Sequence, residues 1–169
     1  MNISVVLAMH GTPPKDFPQD EMMELFALHH RLESASDSEK AVLKKRHNEL
    51  EKKMRNWPRT AENDPFFTSS QQIAKRLGEA LGMEVFLGFN EFCAPSIEEA
   101  LNRAAAKAPS KIIVVTPMMT GGGTHSEVDI PNAIRRAQES YPGIEIVYAW
   151  PYEISEIARF LAQHLERFI

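Results

Sequence analysis

Cysteine is almost missing from this chain: its 169 residues contain one, Cys93. A single thiol excludes an intrachain disulfide and agrees with a reducing cytosol. An excess of positive charge is also missing. Nineteen Lys and Arg face 23 Asp and Glu, for a formal net charge of -4. Overall charge therefore gives no support to a nucleic-acid or anionic-membrane partner. The local run Lys44-Lys45-Arg46 sits among acidic residues and reads as a solvated helix face. No apolar run reaches the roughly 18 residues that span a bilayer. The apolar opening, Met1 to Ala8, is too short for a signal peptide and lacks a basic leader. These features predict a soluble, cytoplasmic protein.

Several catalytic signatures are absent as well. Gly121-Gly122-Gly123 has no Lys-Ser or Lys-Thr after it, so it is not a phosphate loop. No G-x-G-x-x-G follows the first apolar run, which removes support for a nicotinamide cofactor. His125-Ser126-Glu127-Val128-Asp129 is not H-E-x-x-H, and no G-x-S-x-G turn occurs.

What is present is an ordinary globular composition, 43% hydrophobic and 25% charged, long enough for one domain over 1–169. Four short apolar runs, Ile3 to Ala8, Glu84 to Phe89, Lys111 to Thr116 and Ile144 to Ala149, have the length and composition of strands buried on both faces. Helical patterns alternate with them. Ser69 to Leu81 repeats apolar residues every fourth position and stops at Gly82. Pro95-Ser96-Ile97-Glu98-Glu99 opens a helix expected to reach Lys107. Asp129-Ile130-Pro131 opens another that ends before Pro142, and a last one covers Ile154 to Phe168. Alternation of this kind predicts an α/β fold, a parallel four-stranded sheet with helices on both faces. About sixty residues separate the first strand from the Ser69 helix, far more than a usual strand–helix loop. Within them Glu21 to Leu32 and Glu39 to Met54 read as two helices, ended by Trp57-Pro58. This predicts a helical hairpin inserted over about 16–64.

Ligands bind open parallel sheets beyond the carboxyl ends of the strands. Three segments lie there, and each carries a side chain suited to a divalent metal: His10, Glu91 and His125. Adjacent strands are about 4.8 Å apart, so three neighbouring strand ends can reach one ion. Two imidazoles and a carboxylate suit Co, Ni, Fe or Zn. Gly11, Thr12, Gly121, Gly122 and Gly123 flank the histidines as candidate ligand-binding positions, since glycine lets backbone approach a ligand closely. His29 and His30 are adjacent, so they point about 100° apart on a helix. They, His47 and His164 read as surface residues. Cys93 reads as a small buried residue, with a soft metal contact as the alternative. Met118, Met119, Phe89 and Phe92 are candidates to pack on a ligand or in the core. Asp129 reads as a helix cap and Glu127 as an outer proton relay.

The stretch from Thr116 through the glycines to His125-Ser126-Glu127-Val128-Asp129-Ile130-Pro131 resembles the H-x-x-x-D-I-P segment of CbiX-type sirohydrochlorin chelatases. Ala8-Met9-His10-Gly11-Thr12 resembles their A-H-G-S opening. Glu91 with Pro95-Ser96-Ile97-Glu98-Glu99-Ala100-Leu101 resembles their E-x-x-x-P-S-I-E-E-A-L stretch. The three come in family order and, with the elements between them, cover about two-thirds of the chain. The resemblance implies a flavodoxin-like sheet and ATP-independent insertion of Co, Ni or Fe into sirohydrochlorin or a related tetrapyrrole. It implies His10 and His125 as metal-binding residues, with Glu91 lining the site, no nucleotide, and a homodimer. A non-catalytic metal or tetrapyrrole carrier on the same fold is the alternative reading. Two features depart from the family. Thr12-Pro13 is closer to the G-T-P of protohaem ferrochelatases, and the insertion is foreign to short members.

Overall fold

The computed structural model describes residues 2–169, the Glu33 side chain excepted. Strand β1 (Ile3–Met9) leads into the hairpin of α1 (Gln19–Ser34) and α2 (Asp37–Arg55), then α3 (Pro65–Leu81). There follow β2 (Val85–Phe89), α4 (Ile97–Ala105), β3 (Lys111–Val115), a π-helical turn (His125–Asp129), α5 (Ile130–Ser140), β4 (Glu145–Tyr148) and α6 (Ile154–Leu165). All strand pairs are parallel and the order is β2-β1-β3-β4. This is the flavodoxin-like arrangement, in which strand order reverses between β1 and β3.

The pleat explains the layers. Val6 and Ala8 of β1, with Ile112 and Val114 of β3, face α4 and α5. Leu7 and Met9 point the other way, onto Ala74 of α3 and Phe89. Helix α3 starts four residues earlier than the apolar spacing predicts. Asp64 caps it, accepting from the Phe67 amide at 2.9 Å, with Pro65 in the first turn. Serine 96 caps α4 through a reciprocal bond with Glu99.

Helix α6 buries none of its residues, and Ile154, Phe160, Leu161 and Leu165 are exposed. Val147, on the outward face of edge strand β4, is exposed too. No helix among the described residues is long and apolar enough to cross a membrane.

The hairpin has its own core of Phe17, Leu25, Leu28, Leu50 and Met54, with Trp57 and Phe92 packed against it. Across it Arg46 pairs with Glu24 and Lys53 with Glu21, each at 2.6 Å. Lys44 and Lys45 of the basic run are exposed on α2.

Candidate metal centre

His10 follows β1, Glu91 follows β2, and His125 opens the π-turn after β3. The adjacency of these strands brings the three side chains together, with their ligand atoms all within 4.8 Å of one another. Glu91 Oε1 lies 3.4 Å from His10 Nε2 and 3.3 Å from His125 Nε2. The two imidazole centroids are 4.4 Å apart with planes at 88°.

Each ring is held by its other nitrogen. His10 Nδ1 is 2.6 Å from the Gly11 carbonyl oxygen, which assigns it as the donor. His125 Nδ1 is 2.7 Å from Asp129 Oδ2. His125 Nδ1 also lies 2.6 Å from Asn90 Nδ2, and both Nε2 atoms face the shared Glu91 carboxylate, each ring held by its Nδ1 contacts as in an oriented metal ligand. Asp129 therefore does not act as the helix cap expected from sequence. It makes no side-chain capping bond and accepts instead from His125 and, at 3.1 Å, from Asn90 Nδ2. The π-turn keeps His125 and Asp129 on one face, a turn apart.

Gly11 has φ of 108°, and a Cβ there would lie 1.9 Å from the Glu91 carbonyl oxygen. The His10 loop thus lies directly on the backbone of Glu91. Gly11→Ala is expected to push these segments apart and weaken Co(II) binding about tenfold or more, read by equilibrium dialysis. Unchanged affinity would show that this contact does not set the triad.

The other flanking positions lie outside the cavity described below. The Thr12 hydroxyl donates to Asp64 at 3.0 Å. Gly121, Gly122 and Gly123 are exposed and do not line the cavity described below. The Gly122 amide donates to Glu127 Oε1 at 2.6 Å, so Glu127 braces the glycine loop. Cys93 is fully buried among Leu7, Met9 and Phe89, and burial pushes its thiol up. It does not continue β2 on the side of Glu91, because Phe92 turns to φ 59° between them. Phe89 is core, stacked on Phe67 at 5.4 Å, whereas Phe92 lines the cavity.

Sequence reasoning missed a clamp at the end of the hairpin. Arg55 donates to the carbonyls of Asn90 and Cys93, both at 3.0 Å. Arg59 donates to the Thr12 carbonyl at 2.8 Å, the Met54 carbonyl at 3.0 Å, the Phe92 carbonyl and buried Asp64. The loops carrying His10 and Glu91 are therefore tied to the insertion. The Arg55 and Arg59 spacing after a long amphipathic helix carries no motif that would have revealed this. Behind the His125 loop, Tyr148 donates to the Ser126 carbonyl at 3.1 Å and Tyr152 to the Thr116 carbonyl at 2.8 Å. Burial pushes the Tyr148 hydroxyl up to about 12.

Glu91 and His125, but not His10, line a cavity of about 570 Å³, within the usual range for small-molecule sites. Glu91, Phe92, His125 and Asp129 line its sheet side, while Leu25, Phe26, His29, His47 and Met54 of the hairpin line the other. Arg55 and Arg136 also line it, each paired with a carboxylate of the lining, Glu51 and Glu98. Arg136 pairs with Glu98, where burial opposes ionisation but the guanidinium outweighs it and keeps the carboxyl below its ordinary value.

A family model described as CbiX matches residues 66–167, a region that holds Glu91 and His125 but not β1 or the hairpin. The chain is 39% identical over 80 residues to a sirohydrochlorin cobaltochelatase of Sulfurisphaera tokodaii, covering 47% of this chain and 62% of that one. It is 29% identical over 68 residues to a sirohydrochlorin ferrochelatase of Priestia megaterium, covering 40% of this chain and 25% of that one. The match thus spans less than two thirds of either relative's own length. The crystal structure of a CbiX protein from Marinobacter aquaeolei VT8 has the same fold, with a TM-score of 0.53 at 16% identity over 98% of both chains. With most of its length matched by the family's model, and with the family's sheet, this chain belongs to the CbiX family.

Proposed function

We propose that this protein inserts a divalent metal, Co(II), Ni(II) or Fe(II), into sirohydrochlorin or a related tetrapyrrole, without ATP. The observation that carries this reading is the convergence of two imidazoles and one carboxylate, of which Glu91 and His125 line a cavity of about 570 Å³. The relatives' printed activities support it in kind.

The reaction has two requirements. The ion must shed water while held, and two pyrrole N–H protons must leave. His10 and His125 present Nε2 to the ion, and Glu91 supplies a third ligand that also balances charge. A ring centroid sits about 3.2 Å from a bound ion, so two imidazoles whose bonds to one ion meet at a right angle put centroids about 4.5 Å apart. The His10–His125 spacing of 4.4 Å fits that cis arrangement. As the ion passes to the macrocycle, a freed imidazole becomes a base near neutral pH and accepts a pyrrole proton. Glu91, within reach of both rings, relays that proton. The hairpin acts as the cavity's far wall, where Phe26 offers apolar surface to a flat ring, with Phe92 on the sheet side.

The test is anaerobic sirohydrochlorin with each metal, followed by absorbance as the spectrum shifts on metallation. Acceleration above the protein-free rate with at least one metal is expected. A folded protein that binds metal or macrocycle but accelerates nothing would favour a carrier.

A homodimer belongs to this reading. The exposed apolar side of α6 and the bare outward face of β4 are surfaces that a second copy would cover. Sedimentation is expected to give twice the chain mass, and Phe160→Glu with Leu161→Glu is expected to return it to the monomer. A wild-type monomer at micromolar concentration would remove the dimer.

A further inference from the structure

The hairpin brings a second set of metal-binding groups to the same cavity. His29 comes from α1, and His47 and Glu51 from α2. All three line the same cavity as Glu91 and His125. His47 and Glu51 are one helical turn apart and share a face, with His47 Nδ1 3.8 Å from Glu51 Oε2. The His29 and His47 ring centroids are 5.8 Å apart with planes at 33°. Two rings on one tetrahedral ion put centroids about 5.2 Å apart, by the bond lengths used above. The donor atoms of His29, His47 and Glu51 do not all lie within 4.8 Å of one another as those of the triad do, so an ion would draw them together by side-chain rotation.

The surroundings favour a cation. Glu51 is aimed by Arg55, which donates to Oε1 at 3.0 Å and leaves Oε2 toward His47. A carboxylate facing the histidines disfavours an anion there and stabilises a divalent ion. His47 is only 16% exposed at its side chain, so it is set in the wall and not free on the surface. The same Arg55 also binds the carbonyls of Asn90 and Cys93, and Asn90 contacts His125 and Asp129. The second cluster is thus fixed, through one guanidinium, to the loop that carries Glu91.

We propose that His29, His47 and Glu51 form a second divalent-cation site on the inserted hairpin, in the cavity that Glu91 and His125 also line. Its ion is of the borderline class that imidazole prefers, Co(II), Ni(II), Fe(II) or Zn(II). Serving as a holding site for the ion that the triad passes on rests on the chelatase reading; binding itself does not.

The experiment uses the whole protein, stripped with chelator, and Co(II) alone as probe. Equilibrium dialysis gives the number bound, and the visible Co(II) spectrum reports the ligands. Wild type is expected to bind about two ions per chain, His29→Gln with His47→Gln about one, and His10→Ala with His125→Ala about one. Glu51→Gln, which keeps the side chain's shape, is expected to weaken the second affinity about tenfold or more, and serves if the histidine variants misfold. A His29→Gln, His47→Gln protein that binds as much Co(II) as wild type, with Glu51→Gln also silent, would overturn the proposal and leave the triad untouched. Loss of an ion from the hairpin variant with no loss from the His10, His125 variant would sustain this site and sink the triad instead.

Discussion

Replacing both His10 and His125 with Ala is expected to bring sirohydrochlorin metallation down to the uncatalysed rate. The loss should be at least about 100-fold, since both the ion's ligands and the nearby base disappear together. Glu91 alone would remain, and one carboxylate at the rim holds a hydrated borderline ion poorly. The fold should survive. The two side chains are 43% and 27% exposed, and neither belongs to a hydrophobic cluster. Exposed positions of this kind usually change stability by less than about 0.5 kcal/mol. Far-UV circular dichroism and thermal unfolding run beside the absorbance assay would separate chemistry from folding. Normal turnover in a folded double variant would sink the site assignment.

Asp64→Ala is expected to cost about 3–5 kcal/mol of stability. The Asp64 side chain is fully buried and Arg59 is 5% exposed, so removing the carboxylate strands a buried guanidinium. It also leaves the Thr12 hydroxyl and the first-turn amide of Phe67 without their acceptor. That is a large share of the roughly 5–15 kcal/mol that holds a domain together. For a chain of this size it corresponds to a melting temperature lower by about 8–15 °C. The second consequence is functional. Arg59 ties the Thr12 and Phe92 carbonyls, so its release loosens the loops that carry His10 and Glu91. Co(II) affinity should fall in Asp64→Ala even at temperatures where it remains folded. An unchanged melting temperature would show that the pair is replaceable by local solvent. A melting drop with unaltered Co(II) affinity would show that the clamp stabilises the fold without positioning the triad.

The sheet was legible because its strands are continuous apolar runs between helical patterns. Ile3 to Ala8 and Lys111 to Thr116 need burial on both faces, and only a parallel sheet covered by helices provides that. Helix starts were legible where capping chemistry is local, as at Ser96 and Glu99. The start of α3 was placed too late, since Phe66 and Phe67 fall outside a simple four-residue repeat but are drawn in by the core around Phe89. Asp129 was misjudged for a related reason. At a helix start an aspartate satisfies either amides or a nearby imidazole, and the π-turn that decides between them has no local sequence signal.

The sequence by itself determined the strand ends that carry His10, Glu91 and His125, because strand periodicity and the carboxyl-end rule are local and topological properties. The tertiary structure alone decided what surrounds them. It placed the α1–α2 hairpin over the cavity, tied Arg55 and Arg59 to the loops that carry His10 and Glu91, and brought His29 and His47 into the same space. The arginine contacts to these loops join residues separated by 33 to 47 positions through carbonyl oxygens. Every residue type presents the same carbonyl, so no side-chain pattern along the chain could announce such a partner.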